Sequence, residues 1–165
     1  MIPEITNSFR MTLDHLRRLV ADVDDDRMTA QPGGVGNHPA WVLGHLIYSF
    51  QAMAGELGTA AWLPDDWAER FGTGSVPLAD RAAYPQKHVL LEMLQEGQRR
   101  LVEAVEAAGE DGLAAPLPDP RFRDLFPTLG HAILHILGAH AAVHVGQVSA
   151  WRRAFGLEPL KETFT

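Results

Sequence analysis

Two histidines four residues apart, His140 and His144, are the side chains whose type and spacing most clearly allow chemistry. At 3.6 residues per turn, positions i and i+4 lie about 40° apart around a helix, so both rings project from one face. Two imidazoles in this arrangement can bind one metal ion, and a third ligand would complete a site. A buried histidine is also often a hydrogen-bonded core residue, so the spacing alone leaves both interpretations open.

The third ligand is expected from another helix, and His45 is the best candidate. It lies in the uncharged stretch WVLGHLI, residues 41–47, next to Gly44, which permits close approach of another segment. If the site is a metal site, His45, His140 and His144 are therefore its predicted ligands. A shared divalent ion is one economical partner for ring nitrogens that would otherwise be unpaired in a core.

The other histidines are predicted to play different roles. On a regular helix His131 and His135 lie on the side opposite His140, so they join the same site only if that helix is badly distorted. His38 stands near a helix start, where a capping or loop role is expected. His15 and His88 lie among charged residues and are predicted to be solvated.

Helical spacing of apolar residues dominates the chain and predicts four helices. Their limits follow from capping residues, from proline in a first turn and from glycine after a last turn. Helix 1 is predicted over about residues 3–23, helix 2 from the Asn37-His38-Pro39 signal to Leu57, helix 3 from after Pro85 to near Gly109, and helix 4 from Thr128 to Phe155.

The long connections indicate how these helices are arranged. Residues 58–84 and 109–127 exceed the 2 to 8 residues usual between antiparallel neighbours. The first is long enough to return along a helix of about 28 Å, so helices 2 and 3 are predicted to run parallel with a crossover between them. The expected fold is an all-α four-helix bundle, and 165 residues with 46% hydrophobic content suit a single domain, residues 1–165.

The composition excludes several classes of function. Without cysteine there is no disulfide, thiolate metal site or cysteine nucleophile. A formal net charge of −7, with no cluster of basic residues larger than a pair, disfavours nucleic acid as a partner. The first residues, Met1-Ile2-Pro3-Glu4, do not resemble a signal peptide, so a cytoplasmic location is expected.

Two segments resemble the signatures of the DinB-like superfamily of bacterial four-helix proteins. They are NHPAWVLGHL, residues 37–46, and HAAVHVGQVSAWRR, residues 140–153. The family includes thiol-dependent S-transferases, mycothiol-dependent maleylpyruvate isomerases and many members of unknown activity. The resemblance implies an up-down-down-up bundle, a bound zinc or nickel ion and frequent homodimers. By position it also implies that His45, His140 and His144 are the metal ligands.

Three imidazoles with one exchangeable position form an open type of zinc site. Such an ion can lower the pKa of bound water to about 7 or bind a substrate thiol as thiolate. The position occupied by glutamate in HExxH metalloproteases is Ala141 here, and helix 4 has no carboxylate between Gly130 and Arg152. Transfer of a thiol therefore fits somewhat better than hydrolysis, although Glu56, Asp14 or a loop acid could still serve as a base.

Further residues are predicted around the site. Gln147, one turn after His144, is expected to bond substrate or water, or to hold a ligand histidine in place. Trp41 and Tyr48 flank His45 on its helix and either line a pocket or belong to the core. The connection 58–84 either covers the pocket and selects substrate or is only packed against the bundle. Gly146 is expected to allow tight helix contact.

The absence of charge on helices 2 and 4 predicts a further interface. Helix 2 has no charged residue from His38 to Gly55 and helix 4 none from Thr128 to Trp151, yet one core covers only one face of each. A homodimer through the backs of both helices is therefore predicted. These faces are Leu43-Ile47-Phe50-Ala54 and Gly138-Ala142-Val145-Ser149. A membrane span is disfavoured by four histidines in helix 4.

The sequence thus leaves three hypotheses for function. The leading one is a metal-dependent enzyme that transfers a low-molecular-weight thiol to or from a small electrophilic substrate. A metal-assisted hydrolase is the close alternative. The third is a bundle whose site binds a metal or ligand without turnover.

Overall fold

The computed structural model describes residues 1–160, and helices form its regular structure. The α-helices are α1 Ile2–Val20, α2 Pro39–Glu56, α3 Trp67–Phe71, α4 Lys87–Leu113, α5 Leu129–Leu134 and α6 Ala141–Ala154, with a π-helical segment His135–His140 joining the last two. Short 3-10 turns occur at Asp25–Arg27, Pro32–Gly34, Arg81–Ala83 and Pro120–Phe122. No strand occurs between residues 1 and 160, which confirms the all-α class. The last five residues of the predicted domain lie outside the described part.

One hydrophobic core lies between the long helices. α2 packs mainly against α4, and α1 packs against α6, the π segment and α4. Phe9 of α1 meets Phe50 of α2 edge to face, with ring centroids 5.1 Å apart. Both rings are fully buried, and aromatic pairs in this geometry contribute about 0.5–1.5 kcal/mol beyond the burial of area.

The start of α2 is fixed by His38, as expected for a capping residue. Its Nδ1 accepts a hydrogen bond from the Trp41 backbone N–H at 3.2 Å, which satisfies one free donor of the first turn. Its Nε2–H donates to the Leu78 carbonyl at 3.0 Å. Because this ring is fully buried, the same side chain caps α2 and ties the connection between α2 and α4 to it.

The predicted helix limits are close to the observed ones, with two differences. α1 ends at Val20 and not at about residue 23. Gly109 does interrupt α4, where its φ of 63° is a left-handed conformation that glycine adopts easily, but one more turn follows to Leu113. The predicted cap Thr128 is confirmed, because its side chain accepts from the His131 backbone N–H.

The prediction of one regular helix 4 is wrong. The chain forms a π-helical turn over His135–His140, where backbone hydrogen bonds join residues five apart. This turn rotates the side chains that follow it around the helix axis, relative to the side chains that precede it. The sequence contains a signal for this turn. Four buried apolar residues follow one another at a spacing of four, and such a row moves gradually around a regular α-helix but stays on one face when a wider turn interrupts the helix. They are Leu129, Ile133, Leu137 and Ala141.

The prediction that His15 is solvated is also wrong. Its side chain is only 8% exposed, in α1. Burial, with a smaller effect of the nearby Arg18, lowers its pKa. His88, in contrast, is exposed as expected.

Half of the predicted dimer interface is not at the surface. The α2 face consists of residues that are completely buried within one chain, so its lack of charge reflects packing against α4 and the following connection. They are Leu43, Ile47, Phe50 and Ala54. On the last helix, Ala142 is exposed, Val145 is buried, and Gly138 and Ser149 are half-buried. The homodimer itself stays a prediction.

The last helical segment is also the one described segment that is long and apolar enough to cross a membrane, judged by length and composition alone. It covers Leu129–Ala154, and 39% of its most apolar stretch is buried. A single helix of this kind is weak evidence for a membrane span, because core helices of soluble proteins meet the same criterion.

Gly146 does not make the tight helix contact that was expected of it. It is exposed, and no neighbouring atom lies within 4 Å of where a Cβ would stand, so that expectation is wrong within one chain.

Candidate metal centre

The structure brings His45, His140 and His144 together in one cluster. One nitrogen from each ring lies within 4.8 Å of the others. The Nε2 atoms of His45 and His140 are 3.1 Å apart, and the ring centroids of His140 and His144 are 4.6 Å apart. His45 and His144 are 6% and 7% exposed, so the nitrogens meet away from bulk solvent.

Two of the rings are held by hydrogen bonds on the side away from the cluster. The Nδ1–H of His45 donates to the Phe71 carbonyl at 2.7 Å, and that of His144 donates to Oε1 of Gln147 at 2.9 Å. A neutral imidazole with hydrogen on Nδ1 has its lone pair on Nε2. Both rings therefore direct an Nε2 lone pair at the cluster, which is the usual arrangement of metal-binding histidines.

The donor set fits a divalent ion. With Zn–N bonds of 2.0–2.1 Å, a tetrahedral ion separates neighbouring ligand nitrogens by roughly 3.4 Å, close to the 3.1 Å between His45 and His140. The Nδ1 atom of His140 is buried and has no hydrogen-bond partner, so this ring, whose Nε2 lies 3.1 Å from Nε2 of His45, keeps one unpaired polar atom in the cluster. Three neutral imidazoles that face one another suit zinc or nickel better than calcium or magnesium, which prefer oxygen.

Burial keeps the three rings neutral. It lowers the pKa of His140 to about 3, with His144, His45 and His135 adding repulsion. Burial also lowers the pKa of His144 to about 4, assisted by His45 and opposed by the bond to Gln147. The pKa of His45 is lowered by burial as well, against the raising effect of the Phe71 carbonyl. Each ring is thus a ready ligand at neutral pH, because only the unprotonated nitrogen binds metal.

The two aromatic residues predicted near the site differ in position. The Trp41 ring stacks on His45, with centroids 4.8 Å apart and planes 9° apart, and its Nε1–H donates to Ser75 Oγ at 3.0 Å. Tyr48 is half-buried and makes no ring contact with the three histidines. Its ring lies beside Gly72, where an added Cβ would be 3.6 Å from Tyr48 Cε1. Trp41 therefore covers the cluster, and Tyr48 does not touch it.

The connection between α2 and α4 supplies part of the site. Its α3 helix lies on α2, where the Trp67 Nε1–H donates to the Gly44 carbonyl at 3.2 Å and the Phe71 ring rests directly against Gly44. This contact explains why glycine stands next to His45. It also places the Phe71 carbonyl where it orients that ring, a backbone role that no side-chain pattern could reveal.

His135 is closer to the cluster than the regular wheel predicts. Its ring centroid is 5.9 Å from that of His140 and 5.0 Å from that of Phe126. The reason is the π turn, in which backbone hydrogen bonds join residues five apart. His135 is nevertheless not one of the three converging residues, and His131 is exposed and bonds Thr128.

No acid contacts the cluster through the hydrogen bonds or ion pairs of residues 1–160. Glu56 accepts from the Asp119 backbone N–H at the far end of α2, about 16 Å from His45 along the helix. Asp14 is exposed on α1 and pairs with Arg17. The two acids that the sequence left open as bases therefore lie elsewhere.

The profile of one protein family, described as the DinB superfamily, matches residues 8–148. The chain belongs to the DinB superfamily. The matched range of this DinB-superfamily chain contains all three converging histidines and Gln147. Searches of the curated proteins and of the solved structures gave no significant match.

One prediction for this DinB-superfamily chain concerns the contact between Gly44 and Phe71. In Gly44→Ala, the new methyl group overlaps the Phe71 ring, and the expected cost is about 1–3 kcal/mol of unfolding free energy. The displaced Phe71 carbonyl also stops orienting His45, so zinc affinity falls with stability. Chemical denaturation and zinc titration measure the two effects.

The matched control is Gly55→Ala, on the same helix. A Cβ there meets nothing within 4 Å, so this variant is expected to gain about 0.5–1 kcal/mol from helix propensity and to keep its zinc affinity. Equal stability of the two variants would contradict the proposed role of Gly44.

Proposed function

We propose that this chain is a metal-dependent enzyme that transfers a low-molecular-weight thiol to or from a small electrophilic substrate. The observation that carries the proposal is the convergence of three neutral imidazoles, two of them held with Nε2 toward the others. His45, His140 and His144 would hold the ion, with zinc or nickel as the proposed metal. A bound ion of this kind supplies Lewis acidity, which lowers the pKa of a thiol or water molecule that it binds.

The protein residues contribute orientation and exclusion of water. The Phe71 carbonyl and Gln147 fix two of the rings, and Trp41 covers His45. In the reaction the sulfur forms a C–S bond, the leaving group departs with the electrons of the broken bond, and the thiol proton passes to solvent. This route needs no carboxylate base at the cluster, which agrees with the positions of Glu56 and Asp14.

We also propose the up-down-down-up order for the four long helical segments. The support is the long connection of residues 57–86 between α2 and α4, together with the packing of these two helices on each other. A parallel pair needs a connection of this length to return along the helix.

The test is a panel of small thiols with a chromogenic electrophile, run on protein loaded with zinc or nickel. We expect metal-dependent C–S bond formation for at least one thiol, and its loss in His144→Ala. The exposed His131→Ala on the same helical segment should keep the activity. In cobalt-loaded protein, binding of the active thiol should produce a sulfur-to-metal charge-transfer band.

Three outcomes would overturn the proposal. Turnover of an ester or amide panel without thiol would identify a hydrolase. Metal binding that raises stability, with no thiol bound at millimolar concentration, would identify a non-catalytic site. Equal thiol transfer with and without metal would exclude the three-histidine cluster as the centre of the reaction.

A further inference from the structure

Asn37 lies in the loop just before α2 and contacts the far end of the site. Its Nδ2–H donates to Oε1 of Gln147 at 3.1 Å, although 110 positions separate the two residues in the chain. The same oxygen accepts from Nδ1–H of His144 at 2.9 Å. At the level of sequence Asn37 belongs to a helix-start signal and to the segment 37–46, so this contact is a role that tertiary structure adds.

With the Asn37 NH₂ group facing it, Oε1 of Gln147 accepts two hydrogen bonds, and the amide keeps this direction. If the amide turned by 180°, its NH₂ group would face the Asn37 NH₂ group, donor against donor. With Oε1 facing His144, the ring must carry its hydrogen on Nδ1. With NH₂ facing His144, Nδ1 would have to accept and the hydrogen would move to Nε2, where it blocks the nitrogen that faces the cluster.

We propose that Asn37 is a positioning residue that selects the metal-binding tautomer of His144 through the Gln147 amide. The use of that tautomer for metal rests on the proposed function, but the selection itself is a property of the protein without metal. The chain of bonds runs Asn37, Gln147, His144, and each link is a hydrogen bond of ordinary length.

Asn37→Asp is the decisive variant, because it is nearly isosteric but can only accept. The Gln147 amide then turns its NH₂ group toward Asp at position 37, and the hydrogen of His144 moves to Nε2. Asn37→Ala removes the donor without imposing the opposite direction, so both directions of the Gln147 amide become available. A simple charge effect predicts the reverse order, since a new carboxylate near a cation site raises metal affinity.

The first measurement is two-bond ¹H–¹⁵N correlation spectroscopy of histidine-labelled, metal-free protein. We expect His144 to carry hydrogen on Nδ1 in the wild type, on Nε2 in Asn37→Asp, and on either nitrogen, as a mixture of the two tautomers, in Asn37→Ala. Gln147→Glu provides a second variant: a carboxylate can only accept, so the Nδ1–H tautomer should persist. An unchanged tautomer in Asn37→Asp, or Nε2–H in Gln147→Glu, would overturn the inference.

The second measurement is zinc affinity by competition with a chelator. We expect a loss of about 10–100-fold in Asn37→Asp, the range found for residues that orient a ligand, and a loss below about 10-fold in Asn37→Ala. Equal losses in the two variants would reduce Asn37 to an ordinary structural contact. If the wild type bound no zinc while the tautomers changed as described, the proposed function would fail and the positioning role of Asn37 would stand.

Discussion

Replacing His45, His140 or His144 with alanine is expected to lower zinc affinity by at least about 100-fold. Each substitution removes one of three ligands, and even residues that only orient a ligand account for about 10–100-fold. The measurements are metal content after purification and zinc titration against a chelator. Unchanged metal content in His45→Ala and His144→Ala together would contradict a site built from these residues.

The same variants should differ from the wild type in how much zinc stabilises them against unfolding. Zinc at 100 times its dissociation constant should stabilise the wild type by about 2.7 kcal/mol, which raises the unfolding temperature of a domain this size by about 5–10 °C. The three alanine variants should show no such rise. His131→Ala is the control, because this exposed ring lies on the same helical segment and bonds only Thr128. It should respond to zinc as the wild type does.

The second large effect is a loss of stability in mild acid, measured on metal-free protein. The pKa values of His140 and His144 are lowered to about 3 and about 4 in the folded state, against about 6.5 in the unfolded chain. Between these values the unfolded state binds more protons, so the unfolding free energy falls as pH decreases from 6.5. Each of these two rings should contribute a loss of about 2 kcal/mol by pH 5.

The interval from pH 6.5 to 5 isolates the histidines, because carboxylates in unfolded chains take up protons mainly below it. His140→Gln and His144→Gln should therefore show a shallower decline, by up to about 1.4 kcal/mol per pH unit each. His131→Gln is the control on the same helical segment, because that side chain is exposed and lies outside the cluster. Parallel declines in all three variants would mean that the cluster is not buried in neutral form.

Much of the candidate site could be predicted because it rests on local periodicity. The spacing of His140 and His144 places both on one face of any regular helix, and apolar neighbours on both sides of His45 predict that it points inward. The cap at Thr128 and the close approach at Gly44 could also be predicted, because each depends only on its own helix or on one close neighbour.

Other parts of the candidate site depend on contacts between segments that are distant in the sequence, and local patterns do not predict such contacts. The Phe71 carbonyl that orients His45 belongs to a connection whose path is set by docking on α2. Asn37 meets Gln147 only because the bundle brings the start of α2 to the last helix. Neither residue type carries a signal for these roles at its own position.

The sequence by itself determined the all-α class, the approximate helix limits and the three histidines as candidates, because helix formation and amphipathic faces follow from the order of residues along the chain. Tertiary structure decided which faces are buried. It covers the uncharged face of α2, buries His15, and forms a π turn over His135–His140. These outcomes depend on how whole helices and connections pack together, a balance of many contacts that no single segment specifies.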